Sequence, residues 1–396
     1  MSELIEVNVD DKSNIRGYLA IDSTVNGRSY GGVRMASDLS SELIAQLARR
    51  MTLKYGFVGL PVGGAKAGIA VDPELPLPKK LELLNKFGQE LRPFLKSRRY
   101  VPGTDMGTTD DDIRFMLSAN SVKHEPRGMS WGLSGFYTGI TVFAAAVSVA
   151  DQIGLDLNRA RVAIEGFGHV GVSAAQMFWE RNMRVVAVST NQGAVYDESG
   201  LNMDELIRLS QKVGSQMFNV FARGEKIDKR RLPELEVDIF CPCAQHHSLT
   251  SENADRINAR IISPAANLPT TAEAEQTMLK RGIISIPDFV ANCGGVLGVS
   301  MKRSGLKEDY IRGFLQQKVG EQAVEVIRGA SEENAVPTVY AEAIAMESFH
   351  RVQEAAEKKS IANRAFNLAL ELYRDGIVPY QMVTPFARRY FERRFR

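Results

Sequence analysis

The amino-acid sequence predicts an α/β protein whose second domain is Rossmann-like, and three observations support that prediction. Short apolar runs alternate with helical patterns through much of the chain, which is typical of parallel sheets covered by helices. One such run is followed by a G-x-G-x-x-G motif, Gly166–Gly171, that opens a helical pattern. The length of 396 residues is too great for one ordinary core and suits two domains.

Composition and charge narrow the class of protein. Hydrophobic residues make up 44% and charged residues 24%, and the net charge of +2 argues against wholesale binding to nucleic acid or anionic membrane. Three cysteines are too few for a disulfide framework and fit a reducing cytoplasm. No apolar run approaches the about 18 residues of a membrane span, and the polar, acidic N-terminus lacks the features of a secretory signal. We therefore expect a cytoplasmic protein.

Residues 1–134 are predicted to form a first α/β domain. Alternation and turn signals predict strands within 14–35, and a helix of suitable apolar spacing follows Ser40-Ser41. That helix is predicted at 42–58. It is followed by a strand at 65–71, a helix at 81–95, a strand near 100–101 and a helix at 110–117. The Gly- and Pro-rich segment 121–134 is the predicted boundary.

Residues 135–345 are predicted to form the dinucleotide-binding domain, with a parallel sheet. The predicted elements are helices at 137–152 and 170–181 and strands at 161–165, 184–189, 237–241, 260–262 and 282–286. Residues 305–375 show helical patterns only. The basic tail is predicted to be a solvated helix that packs Phe386, Tyr390 and Phe391 inward.

The glycine motif has the context of a dinucleotide site. Its glycines allow a tight turn close to a pyrophosphate, and a helix N-terminus offers unpaired N–H groups to the anion. A Gly-rich turn without a ligand is the alternative, which the flanking apolar strands disfavour. After the second strand an acidic residue that would bind ribose is absent, and Ser189 and Thr190 stand there instead. Because they do not repel a 2′-phosphate, the sequence favours NADP, with NAD left open.

Three side chains of the first domain are candidates for catalysis. Lys54 lies near the end of a predicted helix, Lys66 follows a glycine pair that leaves its ammonium accessible, and Asp105 lies in a Pro/Gly loop. Two ammonium groups and a carboxylate suit a substrate that carries a carboxylate and a carbonyl or amine. One lysine would bind the carboxylate, and the other, desolvated, would exchange protons. For two arbitrary lysines, a solvated surface role is the commoner alternative.

The segments that hold these residues resemble the signatures of the glutamate/leucine/phenylalanine/valine dehydrogenase family. The similar segments are Gly31–Met35, Met51–Pro73, Val101–Gly107, Thr138-Gly139, Pro264–Thr271 and Pro287–Val296. Their shared order implies reversible, NAD- or NADP-dependent oxidative deamination of an L-amino acid to its 2-oxo acid and ammonia. The resemblance also implies a homo-oligomer, and C-terminal helices, residues 346–396, that return to the first, substrate-binding domain.

The resemblance implies a role for each candidate residue. Lys66 is implied to be the catalytic lysine, and Asp105 to shuttle the proton. The residues implied to bind substrate are Lys54, Gly32, Tyr30, Asn292 and Val299, of which Lys54 holds the α-carboxylate. The residues implied to bind the dinucleotide are Gly166, Phe167, Gly168, His169, Val170, Gly171, Thr138, Ser189, Thr190, Ala244 and Asn267.

Departures from the family pattern bear on the substrate. Tyr30 stands where glutamate-specific members carry a lysine, and Val299 stands where they carry a serine. Without that lysine, an apolar pocket does not compensate the charge of the side-chain carboxylate of glutamate. The expected substrate is therefore a neutral apolar or aromatic amino acid, and glutamate is the alternative. Glu165 and His169 replace the usual glutamine and asparagine of the cofactor loop.

Other classes of function were weighed against the dehydrogenase. A non-catalytic, dinucleotide-binding regulator would be favoured by loss of Lys66 or Asp105, and both are present. An enzyme of the same architecture that acts on a biosynthetic intermediate is a further possibility. The segment Cys241–His247 could suggest zinc, but Cys-x-Cys at a strand end is poor geometry for one tetrahedral site, so no metal is predicted.

Overall fold

A computed structural model describes residues 2–10, 12–123 and 133–395, except for the side chains of 362–366 and 374. The chain divides into two compact units, and each is built from separate stretches of sequence. The first unit comprises residues 1–132, 303–306 and 344–396, and the second comprises 133–302 and 307–343. The predicted α/β class with two sheets is confirmed. The predicted domain limits of 1–134, 135–345 and 346–396 stay a prediction.

The strands belong to two sheets. They are β1 (Glu3–Asp10), β2 (Ile15–Ile21), β3 (Ser29–Ala36), β4 (Gly63–Ala70), β5 (Tyr100–Thr104), β6 (Arg161–Glu165), β7 (Arg184–Thr190), β8 (Gly193–Tyr196), β9 (Glu225–Ile227), β10 (Val237–Pro242), β11 (Ala259–Ile262) and β12 (Ile284–Ser285). The first unit has the order β1-β2-β4-β3-β5, and the second has β12-β11-β10-β6-β7-β8-β9.

The helices complete both units. They are α1 (Ser41–Phe57), α2 (Leu77–Glu90), α3 (Arg92–Lys96), α4 (Asp110–Ala119), α5 (Ser134–Gln152), α6 (His169–Glu180), α7 (Met203–Val213), α8 (Ala272–Lys280), α9 (Asp288–Ala291), α10 (Gly294–Arg303), α11 (Glu308–Glu332), α12 (Pro337–Glu357), α13 (Ile361–Arg374) and α14 (Tyr380–Arg394). No helix in the described parts of the chain is long and apolar enough to span a bilayer.

The first sheet places its two faces in different surroundings. Strands β3, β4 and β5 are parallel to one another, whereas β2 pairs antiparallel with both β1 and β4. Val33 and Met35 of β3 and Ala67 of β4 lie in the apolar core that α2 and α4 cover. Because side chains alternate along a strand, Arg34 and Lys66 point to the opposite face, on which α1 packs.

Several features of the first unit differ from the sequence-based prediction. The prediction lacks strand β1, although its alternation of Ile5, Val7 and Val9 with the exposed Glu6 and Asn8 is the usual pattern of a half-buried strand. One helix at 81–95 was predicted, and the structure has two, α2 and α3, that meet at Leu91. Pro93 lies in the first turn of α3, and it lacks the N–H that would continue α2.

The second sheet is parallel except at one edge. Strands β12, β11, β10, β6 and β7 run parallel, and β8 and β9 add antiparallel strands beyond β7. The prediction of a parallel sheet is therefore right for five strands and missed the two short edge strands. It also missed helix α7. Helix α5 packs against both α6 and α11, and covers the sheet near the glycine motif.

The C-terminal helix packs differently from the prediction. Phe391 is buried, but Phe386 is 73% exposed, so its predicted inward packing is wrong. The aromatic contact is made instead by Phe395, whose ring meets that of Phe57 edge-on with centroids 5.9 Å apart. A helix turns by about 100° per residue, so Phe386 and Phe391 do not share one buried stripe.

Candidate active site

The strand register brings three charged side chains of the first unit together. Lys66 of β4 lies between the positions that pair with Tyr30 and Arg34 of β3, and Asp105 directly follows β5. The Lys66 Nζ atom is 2.5 Å from Asp105 Oδ2. Arg34 donates from Nε to Asp105 Oδ2 at 2.9 Å and from Nη2 to Oδ1 at 3.4 Å. One carboxylate therefore faces two cations.

Glycines of β3 make room for this cluster. A Cβ atom at Gly31 would lie 1.7 Å from the Ala65 carbonyl oxygen, so no side chain fits where the strands approach. At Gly32 it would lie 2.6 Å from the Thr104 carbonyl oxygen and 2.8 Å from Asp105 Cβ. Gly32, predicted to bind substrate, therefore lies directly beside Asp105.

Burial of the cluster sets its proton affinities. The side chains of Lys66 and Arg34 are 4% and 5% exposed, and that of Asp105 is 16% exposed. Burial would raise the pKa of the Asp105 carboxyl, but Arg34 and Lys66 together hold it well below its usual range. Burial lowers the pKa of the Lys66 ammonium, Asp105 opposes that shift and Arg34 adds to it. Lys66 is thus the group of the cluster that can exchange a proton.

The glycine pair before Lys66 has a different role from the predicted one. The ammonium was expected to be accessible, and this is wrong, because Lys66 is buried. A Cβ atom at Gly64 would lie 2.2 Å from the backbone nitrogen of Thr52, so the missing side chain lets α1 pack directly on β4. This packing places Lys54, in the last turn of α1, in a buried position.

Tyr30 lies on the same face of β3 as Gly32 and Arg34, and it is buried. Tyr55 of α1 lies close enough to Tyr30 and Arg303 that both affect its titration. Burial raises the pKa of the Tyr55 phenol, and Tyr30 adds to the shift. Aromatic side chains therefore stand at the end of this face where the sequence places Tyr30 instead of a lysine.

In the second unit, the glycine motif forms an open turn at the N-terminus of α6. Gly166 has a φ of +90°, which favours glycine, and a Cβ atom at Gly171 would lie 1.9 Å from the Gly166 carbonyl oxygen. Gly168 is the N-cap of α6 and makes no side-chain cap, and a Cβ atom there would meet nothing within 4 Å. The turn and the first N–H groups of α6 fit the pyrophosphate of a dinucleotide. Phe167, His169 and Val170 complete this loop.

The two predicted cofactor residues that follow β6 in the sheet, Ser189 and Thr190 of β7, are both bonded to backbone groups. The Gly166 N–H donates to Ser189 Oγ at 3.1 Å, and the Phe167 N–H donates to the Ser189 carbonyl oxygen at 2.7 Å. Thr190 Oγ1 donates to the Ser215 carbonyl oxygen at 3.2 Å. Because Ser189 is buried and both hydroxyls are engaged with the backbone, the argument from these hydroxyls for NADP loses its support.

Two of the remaining predicted residues of the second unit, Asn267 and Asn292, lie close together, and Thr138 is bonded within its own helix. Asn292 Nδ2 donates to the carbonyl oxygens of Ala265 and Ala266 at 3.0 and 3.1 Å, and lies 3.4 Å from Asn267 Oδ1. Asn292 Oδ1 is buried and has no hydrogen-bond partner among the described residues. Thr138 Oγ1 donates to the Ser134 carbonyl oxygen at 2.8 Å.

The other two residues predicted for this unit lie elsewhere in it. Ala244 packs against the glycine turn, since a Cβ atom at Gly166 would lie 2.8 Å from the Cβ atom of Ala244. Val299 is buried on α10. The structure thus brings Asn267 and Asn292 together and places Ala244 against Gly166.

Two residues near these sites received no role from the sequence. Arg34 lies within the Gly31–Met35 segment without an assigned role, although its spacing of two from Gly32 on a strand indicates a shared face. Glu165 precedes Gly166, and its Oε2 atom is buried without a hydrogen-bond partner in the described structure. Burial raises the pKa of the Glu165 carboxyl to about 7. Among the described residues, no three His, Cys, Asp or Glu side chains group in a way that could hold a metal ion.

Two family models match this chain. The model described as Glutamate/Leucine/Phenylalanine/Valine dehydrogenase matches residues 135–360. The model described as Glu/Leu/Phe/Val dehydrogenase, dimerisation domain, matches residues 2–121.

Curated relatives extend over most of the chain. A glutamate dehydrogenase of Aeropyrum pernix is 33% identical over 310 residues, which is 74% of this chain and 73% of that protein. A glutamate dehydrogenase of Thermotoga maritima is 34% identical over 293 residues, 71% of this chain and 70% of that protein. An NAD-specific glutamate dehydrogenase of Staphylococcus aureus is 32% identical over 306 residues, 74% of this chain and 73% of that protein.

Solved structures share the fold. A hetero-hexameric glutamate dehydrogenase from Thermus thermophilus, in its Leu-bound form, matches with a TM-score of 0.74 and 25% identity over 89% of this chain and 88% of that chain. An L-tryptophan dehydrogenase from Nostoc punctiforme matches with a TM-score of 0.60 and 22% identity over 89% of this chain and 96% of that chain, which shows the fold alone.

Proposed function

Because this chain belongs to the Glu/Leu/Phe/Val dehydrogenase family, we propose that it catalyses the NAD(P)-dependent oxidative deamination of an L-amino acid to its 2-oxo acid and ammonia, and the reverse reaction. The observation that carries the proposal is the buried contact of Lys66 with Asp105 on one face of the first sheet. A nicotinamide dinucleotide, held at Gly166–Gly171, would supply the hydride acceptor for the α-carbon.

The first unit supplies the acid–base chemistry. When water adds to the carbon that has lost its hydride, a neutral Lys66 amine accepts the proton of that water. The product of this addition is a neutral carbinolamine. Lys66 returns its proton to the nitrogen and takes the hydroxyl proton as the C–N bond breaks, so that ammonia leaves and the 2-oxo group forms. Since the pKa of Asp105 is held well below its usual range, we assign its carboxylate to stabilising the protonated Lys66. A proton held on Asp105 itself would be short-lived.

We assign a substrate-binding role to one residue of each unit, taking each unit by itself. Lys54, buried at the end of α1, is assigned to the α-carboxylate, because a lysine ammonium in a low-dielectric site attracts a carboxylate strongly. Asn292, whose Oδ1 lacks a hydrogen-bond partner among the described residues, is assigned to the substrate amino group, since a carbonyl oxygen accepts from an ammonium.

For the side chain of the substrate, we favour a neutral apolar or aromatic group. Tyr30 presents a phenol where a buried γ-carboxylate would need a cation, and Val299 offers no polar atom. Glutamate is the second candidate, because the curated relatives that cover about three quarters of this chain are named glutamate dehydrogenases.

For the cofactor, the proposal includes both NAD and NADP. The buried Ser189 and the engaged Thr190 remove the hydroxyl argument for NADP. The name of the Staphylococcus aureus relative supports NAD. The match to a family model described as a dimerisation domain supports a homo-oligomer. A non-catalytic regulator is disfavoured, because such a protein would have no use for a buried lysine–carboxylate contact.

The test is a panel assay of nicotinamide absorbance with L-amino acids, glutamate included, and with each oxidised cofactor. We expect turnover with at least one amino acid and release of ammonia in equal amount. Absence of turnover with every amino acid, despite saturable dinucleotide binding, would contradict the enzyme and favour the regulator.

A further inference from the structure

Arg34 has contacts that a stabilising surface charge would not have. Its side chain is 5% exposed, and the hydrogen bonds it makes among the described residues go to Asp105. Its third nitrogen, Nη1, is buried without a hydrogen-bond partner in the part of the chain that the structure describes. Burying a guanidinium with one unsatisfied donor is costly, which indicates a role other than stability.

The geometry of the contact fixes the carboxylate. Two donors of one planar guanidinium hold both oxygens of Asp105, so the plane and position of the carboxylate are set by Arg34. The loop is fixed from its other side, since Thr108 Oγ1 accepts from the Asp105 N–H and donates to the Val33 carbonyl oxygen. Lys66 therefore contacts a carboxylate both of whose oxygens already accept hydrogen bonds from Arg34.

Arg34 and Lys66 compete for the same atom. Asp105 Oδ2 lies 2.9 Å from Arg34 Nε and 2.5 Å from Lys66 Nζ. A lysine with a carboxylate to itself would hold its proton firmly, whereas a second cation on that carboxylate weakens the hold. Other titratable groups on elements around this cluster include Tyr100 of β5, whose pKa is raised by burial and by Asp105, and the buried Lys54 of α1.

We propose that Arg34 is a positioning residue for the reaction: it holds the Asp105 carboxylate in place and shares it with Lys66, so that Lys66 releases its proton at a pH where the enzyme works. The inference rests on the proposed function, because it gives the proton to Lys66 during turnover. It assigns to Arg34 no contact with substrate or cofactor.

The test compares variants that separate charge from geometry. Arg34→Gln removes the positive charge, and Arg34→Lys keeps the charge but loses the two-pronged donor. Trace labelling with acetic anhydride between pH 6 and 11, followed by peptide mass spectrometry, measures the fraction of neutral Lys66, with the exposed Lys96 as the internal reference. In Arg34→Gln we expect the midpoint for Lys66 to move up by about 1 pH unit or more, and in Arg34→Lys to stay near wild type.

The pH profile of kcat/KM for deamination gives the second readout. In Arg34→Gln the apparent pKa of the acidic limb of this profile should rise by as much as the labelling midpoint. Arg34→Lys should lower kcat/KM without changing that apparent pKa. An unchanged labelling midpoint in Arg34→Gln, or equal shifts in both variants, would overturn the proposal. Arg34→Met replaces Arg34→Gln if the latter does not fold. Because labelling needs no turnover, a wild type inactive on every amino acid would refute the proposed function and still leave the Arg34 test decisive.

Discussion

Gly32 has no room for a side chain beside Asp105, since a Cβ atom there would lie 2.8 Å from Asp105 Cβ and 2.6 Å from the Thr104 carbonyl oxygen. In Gly32→Ala the loop after β5 must therefore move, and the carboxylate moves with it. We expect kcat/KM to fall by at least about 100-fold, because displacements near 1 Å at a reacting group have effects of that size. Steady-state kinetics measure the fall.

A matched control for that change lies on α11. At Gly313 a Cβ atom would meet nothing within 4 Å, so Gly313→Ala should leave kinetics unchanged and add up to about 1 kcal/mol of stability. Retained dinucleotide binding in Gly32→Ala would confirm that the second unit is intact. Wild-type kinetics in Gly32→Ala would show that the position of Asp105 does not matter.

Lys66→Ala removes the group to which we assign the proton transfer. We expect kcat to fall by about 10²- to 10⁴-fold or more, the usual contribution of a positioned acid–base group, with dinucleotide affinity nearly unchanged. Lys96→Ala, at an exposed position, is the control. Stopped-flow kinetics and fluorescence titration of the dinucleotide measure the two effects, and turnover like that of the wild type would remove the assignment of Lys66.

Gly168 and Gly171 should respond differently to the same substitution. A Cβ atom at Gly168 would enter open space at the N-terminus of α6, so Gly168→Ala should fold normally. If that space receives the pyrophosphate, the dissociation constant should rise at least about tenfold, or ~1.4 kcal/mol. Gly171→Ala would press on the Gly166 carbonyl oxygen and should lower the free energy of unfolding by about 1–3 kcal/mol.

Calorimetric titration and denaturant unfolding together check this pair. The expected result is loss of affinity with retained stability in Gly168→Ala, and loss of stability in Gly171→Ala. Tight dinucleotide binding by Gly168→Ala would place the pyrophosphate somewhere other than this turn.

Glu165 should give the protein a pH-dependent stability. Burial raises the pKa of its carboxyl from an ordinary 4.5 to about 7 in the folded state. Between those values the folded state binds more protons than the unfolded state, so this group's contribution to stability is present at low pH and lost as pH rises through about 7. In Glu165→Gln that loss should be absent, and the difference in Tm between variant and wild type should grow from pH 5 to pH 8.

The same carboxylate lies one residue before the glycine turn to which we assign the dinucleotide. Its ionisation should weaken dinucleotide binding in the wild type above pH 7, whereas Glu165→Gln should bind with an affinity that varies less with pH. Lys229 and Cys243 are the titratable groups that affect or sense Glu165 and are unchanged in the variant. Parallel pH profiles of wild type and variant would contradict both expectations.

Tyr30→Lys tests the side-chain preference. Introducing an ammonium at this buried position should raise kcat/KM for glutamate relative to the best neutral amino acid, because a second carboxylate would gain a partner. Tyr30→Phe, which keeps the ring without the hydroxyl, should leave that ratio near wild type. A wild type that already prefers glutamate would refute the neutral-substrate proposal.

The local sequence pattern was sufficient to predict the helices that lie at both candidate sites. The apolar spacing of α1 and the glycine motif before α6 depend on residues close together in sequence, and both elements lie within one or two residues of their predicted limits. The contact of Arg34 with Asp105 joins residues 71 apart, so no local pattern carries it. Only the parallel pairing of β3 with β5 brings them together.

The errors also have physical causes. The prediction for Ser189 and Thr190 considers side-chain chemistry alone, whereas in the structure the Ser189 hydroxyl accepts from the Gly166 N–H and the Thr190 hydroxyl donates to the Ser215 carbonyl oxygen. Strands β8 and β9, with four and three residues, are too short for alternation to identify. Phe386 was assigned inward from composition, although its angular position on α14 leaves it exposed.

The discontinuous first unit has a consequence for biosynthesis. Its last segment begins at residue 344, after all of the second unit has been translated. At Gly56 of α1 a Cβ atom would lie 2.2 Å from the Ala345 carbonyl oxygen, so α12, one of the elements that pack on α1, becomes available only late in synthesis. Domains generally fold as units during synthesis. The packing around α1, which carries Lys54 and covers the face of the sheet that carries Lys66, is therefore completed only after residues 344–396 have been translated.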